Sequence, residues 1–244
     1  MSYDMYLYGM ILRTNSFLLE GDYPEAGTYA EIRKKYSLPG GETGTCATVL
    51  LGLGRSVKMD GTFMGKSTMP FIKKFYEGVP CDLSGLHLDE TFDGLEDNVL
   101  VAGNTRTPFG EFRKFYSDPV HRWNAPKAED IAGAKVAGID PYFREDSVRA
   151  AEMCRKMGKP YVTIDCAYDS PMHRLSAVNV VSNEFYREHY KQEERDQVLQ
   201  KYMDASDGLT IFTLGAKEIR FGRKGGKIRS FEPYQVDVVS TLGA

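Results

Sequence analysis

Two glycine-containing segments carry residue types that can bind the polar oxygens of a ligand. The first, residues 40–45, reads GGETGT and leads into a predicted helix. Two adjacent glycines let a ligand approach the backbone closely, and N–H groups at a helix start can donate to its oxygens. The same spacing fits a flexible turn that binds nothing. The segment is therefore a candidate binding site with both interpretations open.

The second segment, residues 61–68, reads GTFMGKST and resembles a phosphate-binding P-loop. A P-loop needs four residues between its glycines, because the backbone must wrap a phosphate before the helix begins. Only three residues separate Gly61 from Gly65, and Asp60 stands where the first glycine belongs, so its carboxylate would repel a triphosphate. We expect a plain strand–turn–helix here. A P-loop nucleotidase that depends on Lys66 stays as an alternative.

The composition predicts a folded globular protein. The 244 residues are 42% hydrophobic and 27% charged, with a net charge of -3, which excludes a disordered chain and leaves no surplus of Lys and Arg for nucleic acid. The apolar run Met5–Leu12 is too short to span a bilayer. Asp4 precedes that run and no cleavage site follows it, so it is not a signal peptide. We expect a cytoplasmic protein that binds neither nucleic acid nor membrane.

The cysteines and histidines lack the spacing of a metal site. No C-x-x-C pair and no H-E-x-x-H spacing occurs, so we expect inert, reduced thiols and no protein-bound zinc. These residues are Cys46, Cys81, Cys154, Cys166, His87, His121, His173 and His189.

Strands and helices are predicted to alternate along most of the chain. The predicted strands are Met5–Leu12, Val57–Phe63, Ala134–Ile139, Tyr161–Ile164, Val178–Val181, Leu209–Thr213 and Val236–Val239, with a hairpin over Lys217–Phe231. The predicted helices are Thr45–Leu53, Ser67–Tyr76 with Ser67 as N-cap, Ser147–Met157, one from about Asn183, and Gln197–Met203. This alternation indicates a mostly parallel sheet covered on both faces.

A polar insert interrupts this alternation. Leu86–Arg113 carries short alternating runs that predict hairpins with one wet face. Together with residues 15–39 it could form a small β lid. Ligands of parallel sheets bind beyond the carboxyl ends of the strands. The loops that begin there are those at Asp140, Asp165, Asn183, Thr213 and Ser240.

Several weak motifs, taken in order, together resemble the ribokinase-like (PfkB) carbohydrate kinases. They are GGETGTCATVLLGLG from Gly40, a strand ending at Asp165, Ser182-Asn183-Glu184, TLGA from Thr213, and VVSTLGA at 238–244. The first and last look most like the ketohexokinase and fructosamine kinase branch. The resemblance implies a single α/β domain over residues 1–244. Its fold would be a three-layer αβα sandwich with a mostly parallel sheet, lid segments near 15–39 and 86–113, and a missing C-terminal part.

The resemblance also implies an activity, the transfer of the γ-phosphoryl group of ATP, with Mg²⁺, to a sugar hydroxyl. The family's closing motif is D-T-x-G-A-G-D, whose backbone N–H groups form an anion hole and whose last Asp accepts the hydroxyl proton. Gly243 and Ala244 match the first G-A. The base Asp belongs two residues past Ala244, so we expect the 244-residue form to be inactive or impaired.

Further residues carry over one by one. Asn183, Thr213 and Gly215 match positions near the nucleotide, and Gly40 and Gly41 match the glycine pair beside the sugar. Thr14 and Thr45 fall where the family has a sugar-binding Asp and Asn. Two more candidates come from position alone, Asp140 at a strand end, where a turn role is as probable, and Arg106 in the lid, which could reach an acidic group on the sugar.

Three departures from the family pattern favour an alternative, a non-catalytic sugar- or nucleotide-binding or regulatory protein. Ser240 stands at the motif's first Asp, Tyr186 stands at the Glu of N-x-x-E, and Thr14 lacks the carboxylate that would contact two hydroxyls. The resemblance further suggests a homodimer through the β lids. Pairing would cover exposed edge strands.

Overall fold

The computed structural model describes residues 2–103, 105–215 and 217–234. Among them, residues 2–9 and 125–234 form one compact unit, the first unit, and residues 10–124 form another, the second unit. The predicted strand Val236–Val239 and the positions of Ser240, Gly243 and Ala244 lie outside the described residues.

The strands found in this part of the chain are β1 (Tyr3–Gly9), β2 (Leu12–Leu19), β3 (Ile32–Gly40), β4 (Val57–Gly61), β5 (Cys81–Asp82), β6 (Glu96–Ala102), β7 (Thr105–Gly110), β8 (Ala134–Ile139), β9 (Tyr161–Ile164), β10 (Val178–Val181), β11 (Leu209–Phe212), β12 (Ile219–Gly222) and β13 (Arg229–Phe231). The helices are α1 (Gly41–Gly52), α2 (Thr68–Phe75), α3 (Phe112–Ser117), α4 (Ala128–Gly133), α5 (Glu145–Lys156), α6 (Pro171–Leu175), α7 (Asn183–His189) and α8 (Arg195–Ala205). None of these helices is long and apolar enough to cross a membrane.

The first unit is built on a sheet in the order β13-β12-β11-β10-β9-β8-β1. β1, β8, β9, β10 and β11 pair in parallel, and β12 and β13 continue the sheet antiparallel. Helices lie on both sides of this mostly parallel sheet, which confirms the predicted fold class. β8, β9 and β10 have the predicted bounds, because short β-branched runs fit strands buried on both faces.

Helix α5 shows how local sequence fixes one of the covering elements. Its buried positions, Ser147, Ala150, Ala151 and Cys154, recur at helical spacing, so one stripe of small side chains faces the core. Acidic residues occupy its first turn and basic residues its last, as the helix dipole favours.

The second unit contains a four-stranded sheet in the order β3-β2-β6-β7. β6 and β7 form an antiparallel hairpin, which confirms the hairpin expected within Leu86–Arg113. β2 pairs antiparallel with β3 and parallel with β6. Along β2 the residues Leu12, Thr14, Ser16 and Leu18 are buried and alternate with half-buried ones. We call the side of the sheet that carries them the Thr14 face.

Two predicted boundaries were wrong near the N-terminus. The expected strand Met5–Leu12 ends at Gly9, and Ile11 instead donates its N–H to the Thr62 hydroxyl at 2.9 Å. The helix expected from Thr45 begins four residues earlier, at Gly41. Ser67 is the N-cap residue of α2, as predicted, but its hydroxyl accepts no hydrogen bond from the helix and donates to the Asp93 carbonyl at 2.6 Å.

A buried histidine anchors the core of the first unit. His173 is 1% exposed; its Nε2 lies 2.8 Å from the Tyr202 carbonyl oxygen and its Nδ1 lies 3.1 Å from the Asn179 amide nitrogen. Nδ1 must accept from that amide, so the ring is neutral with its proton on Nε2. Burial accordingly lowers the pKa of His173.

We therefore expect acid to destabilise the first unit through His173. Because its pKa is lower in the folded chain, the unfolded chain takes up the proton first, and stability is lost as pH falls below about 6.5, by up to about 1.4 kcal/mol per pH unit. His173→Gln, which keeps an N–H donor, should flatten the dependence of unfolding free energy on pH between 7.5 and 5.5 in urea titrations. His121→Gln, at an exposed ring, is the control. Equal slopes in all three proteins would contradict the assignment.

Candidate functional site

Polar residues follow four neighbouring parallel strands of the first unit. Asp140 follows β8, Asp165 follows β9, Asn183 lies two residues past β10, and Thr213 follows β11. The register pairs Val180 with Ile164 and Val181 with Phe212, so the ends of β9, β10 and β11 meet at one edge. The structure thus places these predicted residues along one carboxyl edge, where open α/β sheets bind ligands.

A bridge between two strand ends organises this edge. Asp165 has a positive φ of 49° and accepts hydrogen bonds from the Ser182 N–H at 2.7 Å and the Ser182 hydroxyl at 3.0 Å. The Ser182 hydroxyl accepts in turn from the Phe185 N–H, which caps α7. Burial raises the pKa of Asp165, and the two bonds from Ser182 oppose that rise. The bridge fixes where α7 begins.

Asn183 and Tyr186 occupy the first turn of α7 with different surroundings. Asn183 is half-buried at the first helical position. Tyr186 is 9% exposed, lies in the hydrophobic core with Tyr202 and Phe212, and donates its hydroxyl proton to the Glu193 carbonyl oxygen. The side chain at the position of the family's Glu is therefore a core residue whose polar atom is already engaged.

Thr213 and Gly215 form the turn after β11. The Thr213 N–H donates to the Val181 carbonyl at 3.0 Å, which holds it beside the end of β10. Gly215 is exposed with a φ of +66°, and a Cβ there would meet no atom within 4 Å among the described residues. Its backbone is thus open to solvent. Asp140 lies on the same edge but uses Oδ1 to accept from the Tyr142 N–H at 3.0 Å, a turn role.

In the second unit the glycine pair sits at the junction of β3 and α1. A Cβ on Gly40 would lie 1.9 Å from the Thr14 hydroxyl oxygen, and one on Gly41 would lie 2.3 Å from the Met10 carbonyl oxygen. Gly41 also has a φ of +71°. Neither glycine can be replaced without moving backbone or Thr14. Close packing inside the protein is therefore one reason for the pair, and the junction is not a flexible turn.

Thr14 contacts a carboxylate that the sequence reasoning missed. Asp97 on β6 is the register partner of Thr14, is 9% exposed, and accepts a hydrogen bond from the Thr14 hydroxyl. Burial raises the pKa of Asp97, which the bond from Thr14 opposes. A signal for it was present in the sequence. In the run Glu96–Val101, strand alternation puts Asp97 on the same side as Val99 and Val101, and hence on a buried face.

The remaining candidates of the second unit lie farther from Thr14. Thr45 is half-buried in α1, one turn beyond Gly41. Arg106 pairs with Val101 and so shares the Thr14 face, but it is exposed and four strand positions along from Asp97. The structure brings Gly40, Thr14 and Asp97 together and leaves Arg106 apart from them.

Most backbone N–H groups of the P-loop-like segment are already used within the protein. The N–H groups of Gly61, Phe63, Met64, Gly65, Lys66 and Ser67 all donate within the protein. A Cβ on Gly65 would lie 2.1 Å from the Gly94 nitrogen, and the Lys66 ammonium pairs at 3.4 Å with the exposed Asp93. The segment is a closely packed strand–turn–helix, as expected.

The thiols and metal-ligating types form no further site in the described residues. All four cysteines are free, and burial raises the pKa to about 12 for Cys81 and Cys166, to about 11 for Cys154, and above its usual value for Cys46. No group of three His, Cys, Asp or Glu residues in these ranges could hold a metal ion. The prediction of unreactive thiols agrees with this environment.

We expect Gly40→Ala to destabilise the second unit by about 1–3 kcal/mol, because the methyl group overlaps the Thr14 hydroxyl. The double variant Gly40→Ala/Thr14→Ala should recover part of the loss in chemical denaturation. Gly52→Ala, at the end of α1 where a Cβ meets nothing, is the control and should be neutral or stabilising. Destabilisation by Gly52→Ala as large as that by Gly40→Ala would contradict the packing argument.

No protein-family model matches the chain, and no curated protein does. Solved structures do. A putative ribokinase from Agrobacterium tumefaciens has a TM-score of 0.81 at 16% identity, over 99% of this chain and 80% of its own. Arabidopsis thaliana ribokinase, complexed with ribose and ATP, has 0.72 at 12%, over 95% and 78%.

Halothermothrix orenii fructokinase has a TM-score of 0.74 at 15% identity, over 95% of this chain and 86% of its own. At sequence identities this low, the structural similarity establishes the fold alone. The chain therefore has the ribokinase-like fold, and at the level of fold this confirms its resemblance to the ribokinase-like (PfkB) kinases.

Proposed function

We propose that this chain belongs to a kinase that transfers the γ-phosphoryl group of ATP to a hydroxyl of a sugar or sugar derivative. The observation that carries the proposal is the position of Asn183 and Thr213 just past the ends of the adjacent parallel strands β10 and β11. Ligands of α/β sheets occupy such an edge. The ribokinase and fructokinase with the same fold support the choice of chemistry.

The proposed nucleotide side consists of Asn183, Thr213 and Gly215. A half-buried amide and an exposed, positive-φ glycine suit a ligand that needs hydrogen bonds and close backbone approach. Gly243 and Ala244 are proposed to begin the anion hole. Because phosphoryl transfer leaves little covalent chemistry to the protein, these groups act by position and by stabilising charge.

The residues at this edge suit a Mg²⁺ ion that is bound mainly through the phosphates of the nucleotide. It would be held by one or two protein oxygens, waters and the phosphates, and it would supply neutralisation of the phosphate charge. Asn183 is the residue proposed to supply one such oxygen. The Asp165 carboxylate already accepts two bonds from Ser182, and Tyr186 offers no carboxylate. We assign no further protein ligand.

The proposed substrate side consists of Gly40, Gly41, Thr45 and Thr14, with the four-stranded sheet as the lid. Arg106 and Asp140 are the outer candidates. β3 and β7 are the outer strands of this sheet within the described residues, so pairing of two lids in a homodimer would cover an open edge. Free thiols with raised pKa values suit a reducing compartment such as the cytoplasm.

A second candidate, a sugar- or nucleotide-binding protein without catalysis, is favoured by Tyr186. Its hydroxyl bonds to a backbone carbonyl in the core, so the family's carboxylate cannot be supplied there. Such a protein would be stabilised by its ligand without transferring phosphate.

We expect the gene product purified from its native source to bind sugar and nucleotide and to form ADP in a reaction that depends on both Mg²⁺ and the sugar. The intact mass of that product is measured first and compared with 27.4 kDa. A heavier product should give Mg²⁺-dependent ADP formation with ribose, fructose or a related sugar. Loss of turnover in that product is expected when the Asp after the G-A-G run becomes Asn. A mass of 27.4 kDa with thermal stabilisation but no ADP would favour the non-catalytic protein.

We also expect Asn183→Ala to weaken binding of a non-hydrolysable ATP analogue with Mg²⁺ about tenfold, because it removes the proposed amide contact. Lys66→Ala is the matched control and should leave the dissociation constant unchanged in calorimetric titration. A loss of affinity in Lys66→Ala alone would reverse the assignment and favour the P-loop nucleotidase.

A further inference from the structure

The Asp97 carboxylate has an oxygen that the described protein does not satisfy. The carboxylate accepts from the Thr14 hydroxyl and interacts with the backbone N–H of Asp97 itself, while Oδ1 is buried and has no partner with hydrogen-bond geometry. The side chain as a whole is 9% exposed. An unsatisfied buried carboxylate oxygen is costly, because it loses its water and gains no donor in return.

Ser16 also carries an unsatisfied buried polar atom on the Thr14 face. It is 2% exposed, and its hydroxyl is buried without a partner in the described part of the chain. Ser16 lies two positions along β2 from Thr14, so about 7 Å separates the two side chains, roughly the span of one monosaccharide ring. Asp97 pairs with Thr14, so both unsatisfied atoms lie on the Thr14 face.

The surroundings indicate what kind of partner is missing. Gly40 lacks a side chain that would otherwise displace Thr14. The Thr14 face then continues into an apolar cluster, which consists of Leu18, Val99, Val101 and Tyr36. A metal ion prefers several carboxylates, and no group of three acidic, His or Cys residues occurs in the described ranges. A neutral molecule with several hydroxyls and an apolar ring face fits the donor, the acceptor and the apolar border.

We propose that Asp97 accepts a hydrogen bond from a substrate hydroxyl and that Ser16 makes a second polar contact to the same molecule. Thr14 then acts as a positioning residue, because its hydroxyl orients the carboxylate. The carboxylate that Thr14 lacks is thus supplied from the neighbouring strand. This inference rests on the proposed function and assigns its specificity to the pair of β2 and β6.

The test is calorimetric titration of ribose, fructose and their deoxy analogues into the chain saturated with a non-hydrolysable ATP analogue. Asp97→Asn should weaken sugar binding about 10- to 100-fold, because a charge-assisted bond becomes a neutral one. Ser16→Ala should weaken it about 3- to 10-fold. Glu96→Gln is the matched control, since it removes a charge from the same strand on the opposite face, where Glu96 contacts Asn15 and Ser67.

Two further readouts separate a binding role from a structural one. Asp97→Asn keeps an acceptor for Thr14 and removes a buried charge, so its melting temperature without ligand should stay the same or rise. A deoxy sugar that lacks the hydroxyl bound by Asp97 should bind the wild-type chain more weakly than the parent sugar does. The Asp97→Asn chain should bind this deoxy sugar almost as well as it binds the parent sugar, and this difference identifies the hydroxyl. A lower melting temperature, failure to fold, or unchanged sugar affinity in Asp97→Asn overturns the inference.

The nucleotide titration distinguishes this failure from failure of the proposed function. Sugar and nucleotide binding that persist in Asp97→Asn overturn only the role of Asp97. A wild-type chain that binds the nucleotide analogue but none of the sugars overturns the inference and the sugar specificity together. A wild-type chain that binds neither overturns the kinase proposal itself.

Discussion

The two hydrogen bonds from Ser182 to the Asp165 carboxylate join the ends of β9 and β10, and the geometry of the nucleotide side depends on them. They hold Asp165 at a positive φ, orient the Ser182 hydroxyl so that it caps α7, and thereby fix Asn183 at the first position of that helix. The parallel register then brings Thr213 alongside. A single bridge between strand ends therefore sets the relative positions of several candidate ligand-binding residues.

In the second unit, the arrangement of Thr14 and Asp97 depends on the absence of a Cβ atom at Gly40. Without a Cβ at Gly40, Thr14 can lie over the strand and donate to Asp97. The adjacent Gly41 turns the chain into α1 against the Met10 carbonyl. Backbone close packing and side-chain chemistry are thus coupled at one junction. This explains why a glycine pair and a buried carboxylate from a distant part of the sequence occur together.

Much of the fold was predictable because short β-branched strands alternate with amphipathic helices. β8, β9 and β10 were placed to the residue, and the strand-end positions of Asp140 and Asp165 followed from them. The start of α1 was missed because glycine has low helix propensity, whereas tertiary contacts with Met10 impose the helical turn. Asp97 was missed because its partner lies 83 positions away on β2, and pairing between distant strands is not encoded locally.

Because burial raises the pKa values of the four thiols, little thiolate is present at neutral pH, and these cysteines react slowly with electrophiles. A cysteine introduced at an exposed position such as Lys66 would therefore react with maleimide far faster than any native one. Fluorophores or spin labels could be attached there without first removing the native cysteines. The same chemistry leaves the native thiols poor sensors of oxidative stress, because peroxide also attacks the thiolate.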